Sequence, residues 1–241
     1  MEQNKLKKEL ESFQNIWEGG YLTGYSPKRN QKGLEDYLKT KLRGKNFLEI
    51  GCGAGQWSKF IYDLSIFNKM YCIDALSEEH NNFWSYVGDS AKNIIQYEQV
   101  KNFELNFIDD NSLDFVFSYD VFCHISLSGV QSYLSSLYKK SIKGAELLIM
   151  YADPKKYLKS EPENRYHVIR YLPKNKFIYK ISNKKLVADA IEDSDGKPSE
   201  GRWYWVGKDK FLKLCKDTGF KIIEEDLNID KTNVITQLKK A

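Results

Sequence analysis

Residues 47–57, Phe-Leu-Glu-Ile-Gly-Cys-Gly-Ala-Gly-Gln-Trp, constrain the fold of this chain more than any other stretch. An apolar strand carrying one acid runs into three glycines at alternate positions, Gly51, Gly53 and Gly55. Behind them Trp57, Phe60, Ile61 and Leu64 recur at helical spacing, so the segment reads strand, tight turn, helix. Glycines at such a junction allow φ > 0 and let a ligand approach where a Cβ would block it, and the helix start offers free N–H groups. The turn therefore suits a small cofactor. A dinucleotide site wants G-x-G-x-x-G, whereas here the third glycine comes one residue early and Gln56 stands in its place. A second apolar strand, residues 69–74, ends in Asp74, placed to accept two hydrogen bonds from a ribose diol. That geometry serves NAD and any other nucleoside with free 2′ and 3′ hydroxyls.

Glu49-x-Gly51-x-Gly53-x-Gly55 followed by a strand-ending Asp74 resembles the class I S-adenosylmethionine (SAM) methyltransferases, in particular the small bacterial enzymes of sugar and secondary-metabolite pathways. Residues 111–125 look like the fourth-strand motif of that family: a polar turn, an Asp, a buried strand and a short loop into a helix. The resemblance covers residues 34–151 well and the C-terminal part more loosely. It implies an α/β fold: a Rossmann-like sheet of seven strands with helices on both faces, N-terminal helices and a lid insertion after strand 5. It implies S-adenosyl-L-methionine as cofactor and S-adenosyl-L-homocysteine (SAH) as product. Carried onto this sequence, the cofactor contacts fall on Glu49, Gly51, Cys52, Gly53, Gly55, Trp57, Asp74, Ala75, Asn102, Phe103, Ser118 and Tyr25. Asn102 departs from the family's acid, although its amide oxygen can still accept from the adenine amino group.

One domain over residues 1–241 accommodates this reading: an N-terminal helical cap (1–45), a cofactor-binding core (46–151), an acceptor lid (152–206) and a closing helix with a β-hairpin (207–241). Leu6, Leu10, Phe13 and Trp17 mark an amphipathic first helix, and Leu34, Tyr37, Leu38 and Leu42 a second. Strands are expected at 94–100 and 146–151, with a crossover helix on Val130, Leu134, Leu137 and Tyr138 between them. Residues 208–217 read as a helix stopped at Gly219, followed by closing strands at 220–225 and 233–238. Residues 152–206 fit no regular crossover, and so long an excursion usually carries structure or function of its own. A small hairpin over 166–182 is one reading of its middle.

Composition narrows the function classes. A net charge of +4 set against 33 acidic residues gives little support to a nucleic-acid surface. Cys52, Cys72, Cys123 and Cys215 form no C-x-x-C pair, so small buried thiols are expected rather than disulfides or zinc, and no metal is assigned. The polar start and the lack of an apolar run approaching ~18 residues argue against a signal peptide or membrane span, and a cytoplasmic protein is expected.

The cofactor would bring the reactivity, leaving the chain to align the acceptor and, for weak acids, to remove a proton. His124, after the fourth strand, is the leading candidate base; the competing reading is a helix-start residue bonded to a carbonyl. His167 in the lid is second, and His80 reads as solvated surface. Asp120 and Tyr119 could orient a hydroxyl or bond the base, or be structural. For the acceptor, Tyr21, Arg165, Tyr166, Arg170, Arg202, Trp203 and Trp205 are singled out: guanidinium groups fork onto phosphate or carboxylate, and aromatics wall a pocket, though surface charge and packing compete. The leading function is O-methylation of a sugar, nucleotide-linked, phosphorylated or phosphoramidate precursor of a surface polysaccharide. The alternatives are a wobble-uridine tRNA methyltransferase, a SAM-binding regulator or partner subunit without turnover, and, third, a hydride-transferring enzyme. A homodimer sharing its lid is compatible with the aromatic content of that segment.

Overall fold

The computed structural model describes residues 2–16, 31–64, 67–160 and 204–241. Its strands are β1 (Asn46–Ile50), β2 (Lys69–Asp74), β3 (Ile95–Gln99), β4 (Leu113–Ser118), β5 (Ser141–Tyr151), β6 (Phe220–Glu224) and β7 (Val234–Lys240). The helices are α1 (Glu2–Ile16), α2 (Gln31–Lys41), α3 (Gln56–Leu64), α4 (Phe83–Val87), α5 (Leu127–Lys140), α6 (Pro154–Ser160) and α7 (Lys208–Thr218). All seven strands share one sheet in the order β3-β2-β1-β4-β5-β7-β6. The first five run parallel, and β7 lies antiparallel between β5 and β6. This is the Rossmann-like sheet expected from the sequence.

Alternation along each strand sends neighbours to opposite faces, and each face has its own apolar layer. Leu48 and Ile50 join Leu10, Phe13, Val130, Leu134, Leu137 and Phe211 beneath α1, α5 and α7. Phe47, Phe115 and Phe117 join Leu34, Leu38, Leu42, Trp57, Ile61 and Phe83 beneath α2, α3 and α4. Full burial of each such leucine contributes about 1.5–3 kcal/mol. The helix on Leu34, Leu38 and Leu42 is thus part of the sandwich rather than a cap on it. The four cysteines are buried and free of disulfides. No helix among the described residues is long and apolar enough to cross a membrane.

Two expectations need correction. The fifth strand starts at Ser141, not at residue 146, because α5 runs straight into it. The β4–β5 register shifts between Leu113↔Ser141 and Phe115↔Glu146, with Gly144 at φ 86° in the irregular part. Residues 154–160, read as the start of an irregular excursion, form α6, with Pro154 in its first turn. The hairpin proposed over 166–182 lies outside the described residues.

Candidate active site

Strand order reverses between β1 and β4, and in open parallel sheets the crevice outside the carboxyl ends at such a point is where ligands bind. Ile50 and Ser118 face each other across that junction, and Asp74 closes the neighbouring strand. The glycine turn, Asp74 and the loop after β4 therefore gather at one edge.

Gly51, Gly53 and Gly55 all adopt positive φ (74°, 51° and 90°). The reason for glycine is partly different from the one expected. A Cβ on Gly51 would lie 2.1 Å from Val121 Cγ2, and one on Gly55 2.4 Å from Val87 Cγ2 and 2.8 Å from Phe83 Cε2. At these two positions the missing side chain makes room for protein: the loop after β4 in one case, α4 in the other. The turn is fastened to β2 by the N–H groups of Gly51 and Cys52, which donate to Ile73 O at 2.7 and 3.1 Å.

Asp74 holds the turn as well as the edge. Its Oδ2 accepts from Gly53 N and its Oδ1 from Leu76 N, both at 2.9 Å. Burial raises its pKa, with these backbone bonds opposing the rise. A carboxylate offers about four lone-pair sites, so acceptor capacity remains for a ribose diol. At the start of α3, directly after the turn, Gln56 Oε1 and Trp57 Nε1 are buried without a hydrogen-bond partner among the described residues. Unmet polar atoms beside a glycine turn, with a half-buried acid at the next strand end, fit a nucleoside cofactor.

Apart from the unmet Trp57 Nε1, the other residues expected at the cofactor are engaged by packing or by bonds within the protein. Glu49 is buried, accepts from Ser58 Oγ at 2.6 Å, and has its pKa pushed up to about 8, chiefly by burial and further by the Asp74 charge. Cys52 is buried, its thiol pKa raised well up by burial. Ser118 donates its hydroxyl to Ile50 O at 3.2 Å inside the sheet. Trp57 packs edge-on against Phe60, Phe117 and Tyr119. Ala75 is half-buried, its carbonyl taken by Gln99 Nε2 at 3.1 Å. Phe103 is a core residue, edge-on to Tyr133 at 4.6 Å. Asn102 is exposed, and its amide oxygen accepts from Glu104 N at 3.0 Å in a local turn.

The loop after β4 brings two candidates together. Asp120 takes a left-handed conformation (φ 63°) and accepts a weak bond from Cys123 Sγ at 3.6 Å. Ligating atoms of Asp120, Cys123 and His124 all lie within 4.8 Å of one another, the one described cluster with a spacing a cation could use. His124 is half-buried, its backbone N–H closing a turn onto Val121 O at 2.8 Å. For Tyr119 the structure shows a bond of the structural kind. Its hydroxyl donates to Asp230 Oδ2 at 2.9 Å, a buried bond to the β6–β7 loop. Asp230 ends below its ordinary pKa: burial pushes up, but the N–H groups of Asn233 and Thr232 and the Tyr119 hydroxyl outweigh it. His80 is exposed, as expected.

The neck of the insertion meets this loop. Tyr204 N donates to Cys123 O at 2.6 Å, and Trp205 is buried, edge-on to Tyr157 at 5.3 Å. Asp153 clasps the two sides: Oδ1 accepts from Lys156 N in α6 (2.6 Å), Oδ2 from Lys208 N in α7 (2.8 Å). Tyr21, Tyr25, Arg165, Tyr166, His167, Arg170, Arg202 and Trp203 lie outside the described residues. Sequence reasoning missed Asp153, Asp230, Val121 and Glu9. Only Asp153 had a local signal, an acid before a proline at a helix start.

A family model for a methyltransferase domain matches residues 22–225. Comparison with curated proteins finds no match. Among solved structures, a SAM-dependent methyltransferase from Aquifex aeolicus is similar, with 15% identity, TM-score 0.57, and 98% of each chain covered. The magnesium protoporphyrin IX methyltransferase of Synechocystis with bound SAH gives 14%, 0.56, and full coverage of both chains. A complex of DhpI with SAH gives 12%, 0.62, and coverage of 99% of this chain and 98% of that one. At these identities the likeness is one of fold.

Proposed function

We propose that this chain, which belongs to the methyltransferase-domain family, moves a methyl group from SAM to an oxygen of a small polar acceptor. The acceptor class we assign is a sugar, nucleotide-linked or phosphorylated precursor of a bacterial surface polysaccharide. The observation that carries the cofactor half is Asp74, fixed by Gly53 and Leu76 at the strand end with acceptor capacity to spare. Solved relatives of this fold that hold SAH add support.

When bound, SAM supplies a sulfonium methyl open to in-line attack. The chain's own work is then positioning and proton handling. The turn and Asp74 hold the nucleoside end, and the loop of residues 119–126 borders the acceptor side. In this reading His124 takes the acceptor proton on a ring nitrogen, with a carboxylate oxygen of Asp120 within 4.8 Å of the ring. A positioned base contributes about 10²–10⁴-fold, and correct alignment of the reactants more. Tyr204, at the exit of the insertion, donates to Cys123 O beside His124, which supports a role for that segment on the acceptor side.

Calorimetric titration with SAH, with NADH as control, tests the cofactor. Micromolar affinity for SAH should fall by roughly 1–3 kcal/mol in Asp74→Ala; equal affinity in the variant would remove the ribose assignment. An acceptor screen with labelled SAM should then start from sugar nucleotides and sugar phosphates. His124→Ala should keep SAH affinity and lower turnover about a hundredfold or more. Full turnover in that variant would remove the base assignment.

A further inference from the structure

Among the described residues, the N-terminal helix meets the loop of the candidate base through buried apolar side chains and one buried acid. Glu9 on α1 is only 9% exposed, while Lys7, Lys8 and Glu11 around it are exposed. Its Oε1 accepts from the backbone N–H of Ser126 and its Oε2 from the Ser126 hydroxyl, both at 2.6 Å. Ser126 is the N-cap of α5, and its Oγ accepts from Gly129 N at 3.2 Å. His124 stands two residues before it. Leu10 and Phe13, on the same helix, are buried in the layer that holds Phe122, Ile125 and Val130.

Holding α1 in place does not require a carboxylate. Leu10 and Phe13 already supply apolar contact, and burying an acid has a desolvation penalty that only well-made bonds offset. What a carboxylate adds is register. Two charge-assisted bonds to one residue, at the positive end of a 14-residue helix, admit a single placement of α1 against the loop.

We propose that Glu9 is a positioning residue: it docks α1 on the start of α5 and so holds loop 119–126, with His124, in the arrangement used for methyl transfer. The catalytic side of this inference rests on the assignment of His124 as base, whereas the docking side stands on its own. When the bonds to Ser126 are lost, the loop is released while the core and the Asp74 edge stay formed.

The test uses the full chain with Glu9→Leu, Glu9→Gln and Ser126→Ala, and Lys8→Ala as control. The first readout needs neither cofactor nor acceptor: the rate at which diethyl pyrocarbonate modifies His124, against exposed His80 as internal reference and the buried Cys215 thiol as a monitor of global unfolding. Glu9→Leu keeps an apolar contact and should raise the His124 rate about fivefold, with His80 and Cys215 unchanged. Ser126→Ala, which spares the backbone bond, should give a smaller rise, and Lys8→Ala none. Equal His124 rates in wild type and Glu9→Leu would overturn the docking role. So would a rise matched by Cys215, which would make Glu9 a plain stabiliser. The second readout is turnover with an acceptor from the screen: kcat should fall about tenfold in Glu9→Leu while SAH affinity holds within about twofold. Failure of wild type to bind SAH would count against the cofactor, not against Glu9, because the modification rates are measured without it.

Discussion

Glu49 lies under α3 with Ser58 donating to it, and its proton is retained to a pH of about 8, against 4.5 for an ordinary glutamate. The folded chain thus holds a proton that the unfolded chain gives up between those two values. Stability is greatest below about 4.5 on this account, falls as pH rises through the window, and levels off above about 8. Glu49→Gln keeps an acceptor for Ser58 and removes the ionisation. Its stability advantage over wild type should grow with pH and reach on the order of a few kcal/mol at pH 8. Denaturant midpoints measured from pH 4 to 9 check this, and parallel curves for the two proteins would contradict it. Gly55→Ala belongs to the same scale. The new methyl would meet Val87 and Phe83 at a backbone φ of 90°, so a loss of about 2–4 kcal/mol is expected in chemical unfolding. Conversion of Gly44, also at positive φ but with nothing within 4 Å, should carry the backbone penalty alone.

Asp153 is one side chain serving two helices, capping α6 through Lys156 N and α7 through Lys208 N. Asp153→Ala removes both caps at once. At roughly 1 kcal/mol each, and with a buried site left behind, about 2–3 kcal/mol should be lost. Asp153→Asn should retain at least half of that, since an amide keeps one acceptor oxygen; equal losses in the two variants would show that charge rather than capping matters. How much of the elements could be read from the sequence follows from what each rests on. β1, β2 and β4 are legible because they are apolar runs ended by glycine, acid or turn residues. The first half of β5, Ser-Ile-Lys-Gly-Ala, is not, because its pairing depends on a register shift with Leu113 that no local pattern records. At the candidate site, Asp74 is legible from its place at the end of an apolar strand, and His124 from the resemblance of residues 111–125 to a family motif. Glu9 is not: its partner Ser126 is 117 residues away, and on a helix with lysines and two other glutamates it looks like one more solvated acid.

At the scale of the whole molecule, the two flanks of the insertion are brought together at a neck. The neck is closed by Asp153, by Gly207 N on Ala152 O at 3.2 Å, and by Tyr157 against Trp205. Replacing residues 161–203 with a Gly/Ser linker of about ten residues, enough to span a closed neck, should leave cooperative melting and SAH affinity near wild type while abolishing acceptor turnover. Loss of SAH binding would mean that the insertion also serves the cofactor. The strand order carries a further consequence. β7 lies between β5 and β6 although it follows both along the chain, so β6 has no edge to join until β7 has been made, whereas α7 packs on α5 and on Tyr151 of β5 without it. A polypeptide emerging from the ribosome can form the parallel sheet from β3 to β5 first, with Leu148 and Met150 on an unpaired margin. α7 can dock on α5 and β5, but β6 has no partner strand, and only the arrival of Val234–Lys240 seals that margin and brings β6 into the sheet. Until β7 is in place the sheet therefore has an open, apolar edge that needs shielding, and a chain lacking Val234–Lys240 should be captured by a chaperone more strongly than the full chain.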